Sequence, residues 1–263
     1  MIYNLYKQRG ETPLECIQRF RATHSEVKGD KFTYLGRLDP MAEGVLLVAS
    51  GEDVSQTKRE EFMNLDKDYD FIVLFGFSTD TYDILGRVLR VERLKEKDLD
   101  PVYINKVLKV YEGEREQKYP PYSSRTVEGR PLHEWSRKGE IDEIEIPTKK
   151  VTVHKINFHG LSKLSAKEML GRLLMDVSKV QGDFRHHETM VLWKQMLVGL
   201  GSTNSSQING GEVYLGKFSA HVSSGTYIRG IINDLGNTLG LGACALSIVR
   251  TRVGTYKIED SVR

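Results

Sequence analysis

Residues 36–50 read Gly36-Arg37-Leu38-Asp39-Pro40-Met41-Ala42-Glu43-Gly44-Val45-Leu46-Leu47-Val48-Ala49-Ser50. Pro40 restricts the backbone directly after Asp39, and the apolar run that begins at Val45 predicts a buried strand. A carboxylate on rigid backbone beside a core strand is well placed to act as a nucleophile or a general base. The same pattern is also typical of an Asp that only accepts backbone N–H bonds in a turn. The assignment of Asp39 therefore depends on the rest of the chain.

The composition is that of a globular protein. The chain has 263 residues, of which 39% are hydrophobic and 28% are charged, so it can bury a full core and is not a disordered sequence. No stretch approaches the length of a transmembrane helix, and the N-terminus lacks the layout of a signal peptide. Cys16 and Cys244 are too few for a disulfide framework, so we expect a cytoplasmic protein with reduced thiols. A net charge of +2 neither supports nor excludes RNA as a partner.

The order of the predicted elements indicates an α+β fold. Hydrophobic periodicity predicts strands at residues 2–6, 31–34, 45–50, 67–75, 86–91, 151–158, 213–219 and 247–253. Start and stop signals predict helices at residues 12–24, 55–64, 100–111 and 225–240, and a Pro/Gly-rich loop at 114–130. Because several strands are adjacent in sequence, we expect one domain over residues 1–263 with a mixed, mainly antiparallel sheet and flanking helices.

Residues 160–211 are predicted to form an insertion in this domain. Two helical patterns, at 165–180 and 185–200, predict a helical hairpin that is followed by a Gly/Ser/Asn-rich linker at 199–206. Its apolar stripes are expected to face each other and the sheet from the outside of the domain, and its removal is expected to leave the core folded. The stripes consist of Leu161, Leu164, Met169, Leu173, Leu174 and Val177, then Val191, Leu192, Met196 and Leu197. A modest excess of basic residues predicts that the insertion also contacts tRNA. These residues are Lys163, Lys167, Arg172, Lys179, Arg185 and Lys194.

Residues 115–139 combine basic and aromatic side chains. The basic residues are Arg115, Lys118, Arg125, Arg130, Arg137 and Lys138, and the aromatic ones include Tyr119, Tyr122 and Trp135. This mixture suits backbone phosphates and unstacked bases. An ordinary solvated surface has a similar composition, so the segment by itself favours no RNA-binding function.

Four segments in a fixed order carry a family resemblance. The first is Gly36-Arg37-Leu38-Asp39-Pro40-Met41-Ala42-Glu43-Gly44-Val45-Leu46, and the second is Lys67-Asp68-Tyr69 with Gly76-Phe77-Ser78-Thr79-Asp80-Thr81-Tyr82-Asp83 and Gly86. The third is Tyr119-Pro120-Pro121-Tyr122-Ser123-Ser124 with Val127-Glu128-Gly129-Arg130. The fourth is Ser223-Ser224-Gly225-Thr226-Tyr227-Ile228-Arg229 with Asp234-Leu235-Gly236, Gly242-Ala243 and Arg250-Thr251-Arg252-Val253-Gly254. Together they resemble the TruB-type tRNA pseudouridine synthases over most of residues 1–140 and 212–256.

The resemblance implies a fold and a reaction. The fold is that of the pseudouridine synthases, and the reaction isomerises a uridine of tRNA to pseudouridine without cofactor or metal, at position 55 of the T loop. Asp39 matches the family's essential carboxylate, which either adds to the uracil ring or takes a proton from the ribose. Arg229, at the start of a helix, would keep Asp39 ionised and oriented. Tyr69 would offer an aromatic face to the extruded base and a hydroxyl group for proton transfer.

The resemblance also implies RNA contacts. The matching substrate- and RNA-binding positions are Tyr34, Arg37, Lys67, Tyr122, Arg125, Tyr227, Ile248 and Arg250. Tyr34 stands where many members carry a histidine that fills the gap left by the flipped base, and Ile248 stands where an apolar residue lies behind the uracil. The expected partner is the T arm of tRNA, bound by a monomer without membrane contact. The C-terminal RNA-binding (PUA) domain of many relatives is expected to be missing, and residues 160–211 find no counterpart in the family.

Two other classes of function are compatible with parts of the sequence. A catalytically silent RNA-binding or tRNA-chaperone module could keep this fold, but it would need none of Asp39, Tyr69 and Arg229. An Asp-nucleophile hydrolase is disfavoured, because no metal-binding or phosphate-cradling motif accompanies Asp39 and His186-His187-Glu188 lacks partners at ligand spacing. A synthase that acts on another RNA site is the remaining alternative.

Overall fold

A computed structural model describes residues 1–27, 29–182, 185–201 and 211–263. The strands are β1 (Ile2–Lys7), β2 (Phe32–Tyr34), β3 (Ala42–Ser50), β4 (Lys67–Phe75), β5 (Phe77–Thr79), β6 (Val88–Val91), β7 (Gly113–Lys118), β8 (Thr126–Val127), β9 (Arg130–Pro131), β10 (Thr148–Ser165), β11 (Glu212–Val222), β12 (Ala243–Val253) and β13 (Tyr256–Lys257). The helices are α1 (Pro13–Thr23), α2 (Gln56–Met63), α3 (Pro101–Tyr111), α4 (Leu132–Lys138), α5 (Ala166–Ser178), α6 (His186–Gly201) and α7 (Ile228–Leu239).

One large mixed sheet organises the described residues. Its strand order is β1-β3-β12-β4-β11-β10-β7, with β2 added to β3 and β13 added to β12. Within this sheet the described strands pair antiparallel except β3 and β12, which run parallel through Ile248 and Ala42. The predicted α+β class with a mainly antiparallel sheet is confirmed. The parallel pair places the turn before β3 beside β12, at the centre of the sheet.

The two faces of the sheet are covered by different helices. The alternation of β4 turns Tyr69, Phe71 and Val73 to the face on which α3 and α7 pack, and Phe71 stacks on Phe218 with ring centroids 5.4 Å apart. Leu74 of the same strand faces the opposite way and lies in a core shared with α5 and α6. Each face therefore buries apolar surface, which is the main stabilising contribution to the fold.

Local sequence signals set several helix ends as predicted. Thr12 and Glu15 form a reciprocal capping box at the start of α1, and Asp100 caps α3 directly before Pro101. Helix α7 ends at Gly240, whose φ of 71° is the left-handed conformation that glycine adopts without strain.

The loop prediction for residues 114–130 is wrong in its first part. Gly113–Lys118 forms β7, an edge strand that pairs with β10, and residues 126–131 form a small hairpin of β8 and β9. Of the β7 side chains only Gln117 is buried, so the strand carries no apolar alternation from which it could be predicted.

The boundaries of the predicted insertion also change. Strand β10 continues to Ser165 and pairs with β11 as far as Glu212, with a register shift between Phe158 and Gly160. The predicted insertion therefore starts later, because its first helix, α5, begins at Ala166, directly after the end of β10. The two predicted helices are confirmed as α5 and α6, while most of the predicted linker at 199–206 lies outside the described residues.

Helices α5 and α6 form part of the core and are not an appendage on its outside. Met169, Leu173 and Val177 of α5 are buried as predicted, but Leu161 and Leu164 belong to β10. In α6, Val191 belongs to the predicted apolar stripe but is 40% exposed. Trp193, at 1% exposure, is buried in the core instead. The expectation that the core would stay folded without this segment conflicts with that packing.

Candidate active site

Two buried cations hold the turn that carries Asp39. The Lys7 ammonium donates to the carbonyls of Ala42 and Pro40 at 2.6 and 3.2 Å. On the other side, the Arg250 guanidinium donates to the carbonyls of Val45 and Arg37 at 2.7 and 3.0 Å. Lys7 and Arg250 are 0% and 1% exposed, so both cations are bound to backbone oxygen inside the protein. The turn is therefore fixed from both sides, which holds its carboxylate in place.

Asp39 itself is open to solvent and paired with Arg229 beneath it. The Arg229 Nε donates to Asp39 Oδ2 at 2.8 Å, and the side chains are 4% and 37% exposed respectively. The same Nε lies 3.6 Å from Oδ2 of Asp83, which is 6% exposed. One buried guanidinium thus joins an accessible carboxylate to an inaccessible one.

Burial and charge act in opposite directions on the pKa values of Arg229 and Asp83. Burial alone would lower the pKa of the Arg229 guanidinium, but the carboxylates of Asp39 and Asp83 outweigh it and the pKa is raised. Burial raises the pKa of the Asp83 carboxyl, against the opposing charge of Arg229. Burial and the charge of Asp39 raise the pKa of Tyr227. Arg229 therefore stays protonated and keeps its positive charge beside Asp39.

The segment around Asp83 is tied to β12. Asp83 accepts hydrogen bonds from Thr81 Oγ1 at 2.6 Å and from the Leu85 N–H at 3.0 Å. The N–H of Ala245 in β12 donates to the Tyr82 carbonyl at 2.9 Å, and the Ala245 carbonyl accepts from the Ile84 N–H at 3.2 Å. Thr81 also accepts a bond from Arg229 through its carbonyl. Asp83 belongs to the second motif, but the sequence does not indicate it as a site residue, because its role depends on a partner 146 positions away that no local pattern indicates.

Around Asp39 lies a cleft open to solvent. It is lined by Asp39, Pro40, Thr81, Asp83, Leu85, Tyr122, Arg137, Arg185 and Arg229. A smaller recess continues inward along Ala42 and Ile248. The cleft combines a single accessible carboxylate with several guanidinium groups, so it can hold an anionic polymer beside one acid.

Comparison with known proteins identifies the family. Residues 24–183 match the N-terminal domain of the TruB family pseudouridylate synthases. The tRNA pseudouridine synthase B of Caldanaerobacter subterraneus subsp. tengcongensis is 30% identical over 260 residues, which cover 99% of this chain and 71% of the relative. The chain belongs to the TruB family of pseudouridylate synthases.

Further relatives agree with this membership. The tRNA pseudouridine synthase B of Aquifex aeolicus is 27% identical over 97% of this synthase and 69% of its own length. The crystal structure of a Cbf5–Nop10–Gar1 complex covers 97% of the synthase and 49% of the compared chain, with a TM-score of 0.54 and 20% identity, and so supports the fold alone. The family match runs to residue 183 and includes α5, so the expectation that residues 160–211 have no counterpart in the family is wrong for that helix.

Tyr69 and Ile248 lie on the face of the sheet that packs against α3 and α7. Tyr69 is 6% exposed, belongs to the same core cluster as Leu38 and Ile248, and pairs in register with Arg250 of β12. Ile248 lines the inner recess together with Asp39 and Arg229. The structure therefore brings Asp39, Arg229 and Ile248 together, with Tyr69 packed on the same face.

Other predicted RNA contacts are exposed or half-exposed side chains. Arg37 and Arg125 are exposed, and their guanidinium groups lie over Tyr34 and Tyr119 at 5.8 and 5.4 Å from the ring centroids. Tyr227 packs edge-to-face on Tyr119 with centroids 5.8 Å apart. Of these residues, Tyr122 lines the cleft.

Lys67 and Arg250 are instead buried. Lys67 is 6% exposed and its ammonium donates to the carbonyl of Leu65 at 2.6 Å, while burial lowers its pKa to about 8. Arg250 is bound inside the Asp39 turn. The predicted surface role is wrong for both, because a basic residue in a motif gives no indication of whether backbone carbonyls or solvent surround it.

Metal-ligand residue types come together at one place in the described structure. The ligand atoms of Asp66, His154 and His221 lie within 4.8 Å of one another, and none of these residues lines the cleft. The sequence His186-His187-Glu188 starts α6, where Glu188 forms an ion pair with Arg87 at 2.8 Å. In the described ranges no helix is long and apolar enough to cross a membrane.

Proposed function

We propose that this synthase converts a uridine of tRNA to pseudouridine, with position 55 of the T loop as its site. The observation that carries the proposal is the solvent-accessible Asp39 carboxylate held at 2.8 Å by the buried Arg229. The tRNA substrate is supported by the relatives, which are named tRNA pseudouridine synthase B. The T-loop position is supported by the family resemblance of the four motifs.

The reaction needs one carboxylate in two possible roles. Isomerisation breaks the N1–C1′ bond of uridine, forms a C5–C1′ bond, releases the proton of C5 and adds a proton to N1. Asp39 either adds to the uracil ring or takes a proton from the ribose, and both roles require the ionised form. The Arg229 Nε donates to Asp39 Oδ2 at 2.8 Å and so holds the carboxylate in position in the cleft lining.

The uridine must leave its stack to reach Asp39. A flipped base needs an apolar wall, which Ile248 supplies in the inner recess, and an aromatic surface, for which Tyr69 is the candidate. The RNA backbone needs accessible basic side chains, and Arg37 and Arg125 are exposed. A silent RNA-binding module would use such surface side chains alone and would not require the buried Arg229 under an accessible acid.

The experiment that tests this proposal maps pseudouridine in an unmodified tRNA transcript after incubation with the purified protein. A second transcript with cytidine at position 55 serves as the matched RNA control, and one reaction contains a chelator. We expect a single pseudouridine at position 55, none in the control, and no effect of the chelator on folded RNA. Pseudouridine at another position would overturn the assignment of position 55. Absence of pseudouridine at every position would overturn the assignment of the protein as an active synthase.

A further inference from the structure

Arg185 precedes α6 yet lines the same cleft as Asp39. By its position in the sequence it belongs only to the basic residues of the predicted insertion. The first turns of α6 are fixed to the backbone beside Asp83, because Thr189 Oγ1 donates to the Leu85 carbonyl at 3.1 Å and Trp193 Nε1 donates to the Ile84 carbonyl at 3.0 Å. Both of these α6 side chains are buried. The start of the helix is thus held firmly at the edge of the catalytic cleft.

The Arg185 guanidinium is oriented by two neighbours. Its Nη1 donates to Asp80 Oδ2 at 2.8 Å, and the group lies over the Tyr122 ring at 4.7 Å from the centroid. The side chain is 18% exposed, so part of it reaches solvent within the cleft. An ion pair on one side and an aromatic face on the other leave the planar group with little rotational freedom.

The backbone at Arg185 adopts a conformation that is rare for its residue type. Its φ is 59°, in the left-handed region, where non-glycine residues are uncommon. Tyr82, in the segment that carries Asp83, has a φ of 65°. Such residues concentrate at binding and catalytic sites, where the surrounding structure holds them in place. Here the ion pair with Asp80 and the stack on Tyr122 supply that restraint.

We propose that Arg185, together with Arg137, forms a phosphate-binding subsite at the mouth of the cleft, which holds the RNA backbone beside the flipped uridine. The inference rests on the proposed RNA substrate. Arg229 is 4% exposed and lies between two carboxylates, whereas the Arg185 side chain is 18% exposed beside its ion pair with Asp80 and lines the same cleft together with Arg137. A guanidinium matches the geometry of a phosphodiester and carries its charge at any physiological pH. The segment at 166–201 thereby contributes directly to substrate binding.

The test measures RNA binding as a function of salt. An unmodified T-arm stem-loop is bound to Asp39→Asn protein, so that no conversion occurs, with and without Arg185→Gln. We expect Arg185→Gln to weaken binding roughly tenfold and to reduce the slope of log Kd against log salt by about one. Arg185→Lys should restore the salt slope but only part of the RNA affinity. An ammonium keeps the charge, but it does not stack on an aromatic ring and does not donate two parallel hydrogen bonds to a phosphate.

Arg87→Gln is the matched control, because it breaks the 2.8 Å ion pair of Arg87 with Glu188 of α6 and does not line the cleft. It should leave both the affinity and the slope unchanged. Arg185→Gly relieves the left-handed backbone, so it should unfold at a temperature no lower than Arg185→Gln while binding RNA no better. Wild-type affinity and slope in Arg185→Gln, or an equal loss in Arg87→Gln, would overturn the inference. Absence of pseudouridine with the wild type would instead contradict the proposed function and leave this binding result standing.

Discussion

The Arg229 Nε lies 2.8 Å from Asp39 Oδ2, although 190 positions separate the two residues in the chain. The contact joins the turn before β3 to the first turn of α7. Because Arg229 also approaches Asp83 at 3.6 Å, the accessible acid depends on a charge balance set inside the protein. Mutations at the three positions should therefore separate chemistry from stability.

Asp39→Asn should abolish pseudouridine formation and leave tRNA binding within several-fold of the wild type. The amide keeps the shape but can neither add to the ring nor take a proton, while binding is spread over many phosphate contacts. The free energy of unfolding should change by no more than about 1 kcal/mol, because Asp39 is half-exposed and Arg229 retains its ion pair with Asp83. Single-turnover assays and filter binding measure the two effects. Substantial turnover by Asp39→Asn would contradict the assignment of the carboxylate.

Arg229→Ala should lose both activity and stability. Removal of the guanidinium leaves Asp83 buried without its cation, which typically costs about 3–5 kcal/mol of unfolding free energy. The double variant Arg229→Met/Asp83→Leu removes both buried charges and should recover much of that stability while remaining inactive. Chemical denaturation and the pseudouridine assay distinguish these outcomes. Recovered activity in the double variant would show that Asp39 does not need this charge.

Lys7 should make stability depend on pH in a defined window. Burial lowers the pKa of its ammonium from 10.5 to about 8, so the folded protein releases a proton that the unfolded chain still binds. Between these two values the unfolded state holds more protons, so the contribution of Lys7 to stability rises with pH, by about 1.4 kcal/mol per pH unit at most. Below pH 8 both states are protonated and that contribution is constant.

The measurement is the difference in unfolding free energy between the wild type and Lys7→Met, taken from pH 7 to 10. The difference should be flat up to about pH 8 and then grow in favour of the wild type. At every pH Lys7→Met should be the less stable protein, because the carbonyls of Ala42 and Pro40 lose their donor. Lys167→Met, which changes an exposed lysine of α5, is the control. A difference that stays constant across the range would contradict the prediction.

The sequence predicts the elements of this fold where local rules govern them. Strand β4 has the predicted bounds because its alternation is uninterrupted, and α3 begins where Asp100 and Pro101 start it. Strand β7 was missed because an edge strand of polar residues has no such pattern. The long hairpin of β10 and β11 extends beyond its apolar part because β11 supplies the pairing. In both cases the neighbouring strand, and not the strand's own sequence pattern, determines where the strand lies.

The residues of the candidate site are likewise only partly predictable from the sequence. The motifs indicated Asp39, Tyr69 and Arg229, and the structure pairs Asp39 with Arg229. The motifs did not indicate that Arg250 is buried against backbone carbonyls, that Asp83 lies close to Arg229, or that Arg185, directly before α6, lines the cleft. Each of these facts depends on which distant backbone lies against the side chain, and periodicity carries no such information.

Trp193 should prove essential for stability, because it links α6 to the segment beside Asp83. It is 1% exposed, donates to the Ile84 carbonyl at 3.0 Å and packs on Phe77 with ring centroids 5.2 Å apart. Trp193→Phe keeps most of the packing and should cost about 1–2 kcal/mol for the unpaired carbonyl. Trp193→Ala should cost about 3–5 kcal/mol through the cavity it leaves.

Val191→Ala is the control for these variants, since Val191 is 40% exposed on the same helix, and should change stability by no more than about 0.5 kcal/mol. Replacement of residues 162–207 by a short Gly/Ser linker removes α5 and α6 entirely. It uncovers Leu74, Phe77 and Leu246 of the second core and breaks the 2.7 Å ion pair of Arg9 with Asp176. We therefore expect that variant to aggregate or to lose cooperative unfolding. A soluble deletion variant with a cooperative transition and wild-type activity would show that α5 and α6 are dispensable for the fold and for the site beside them.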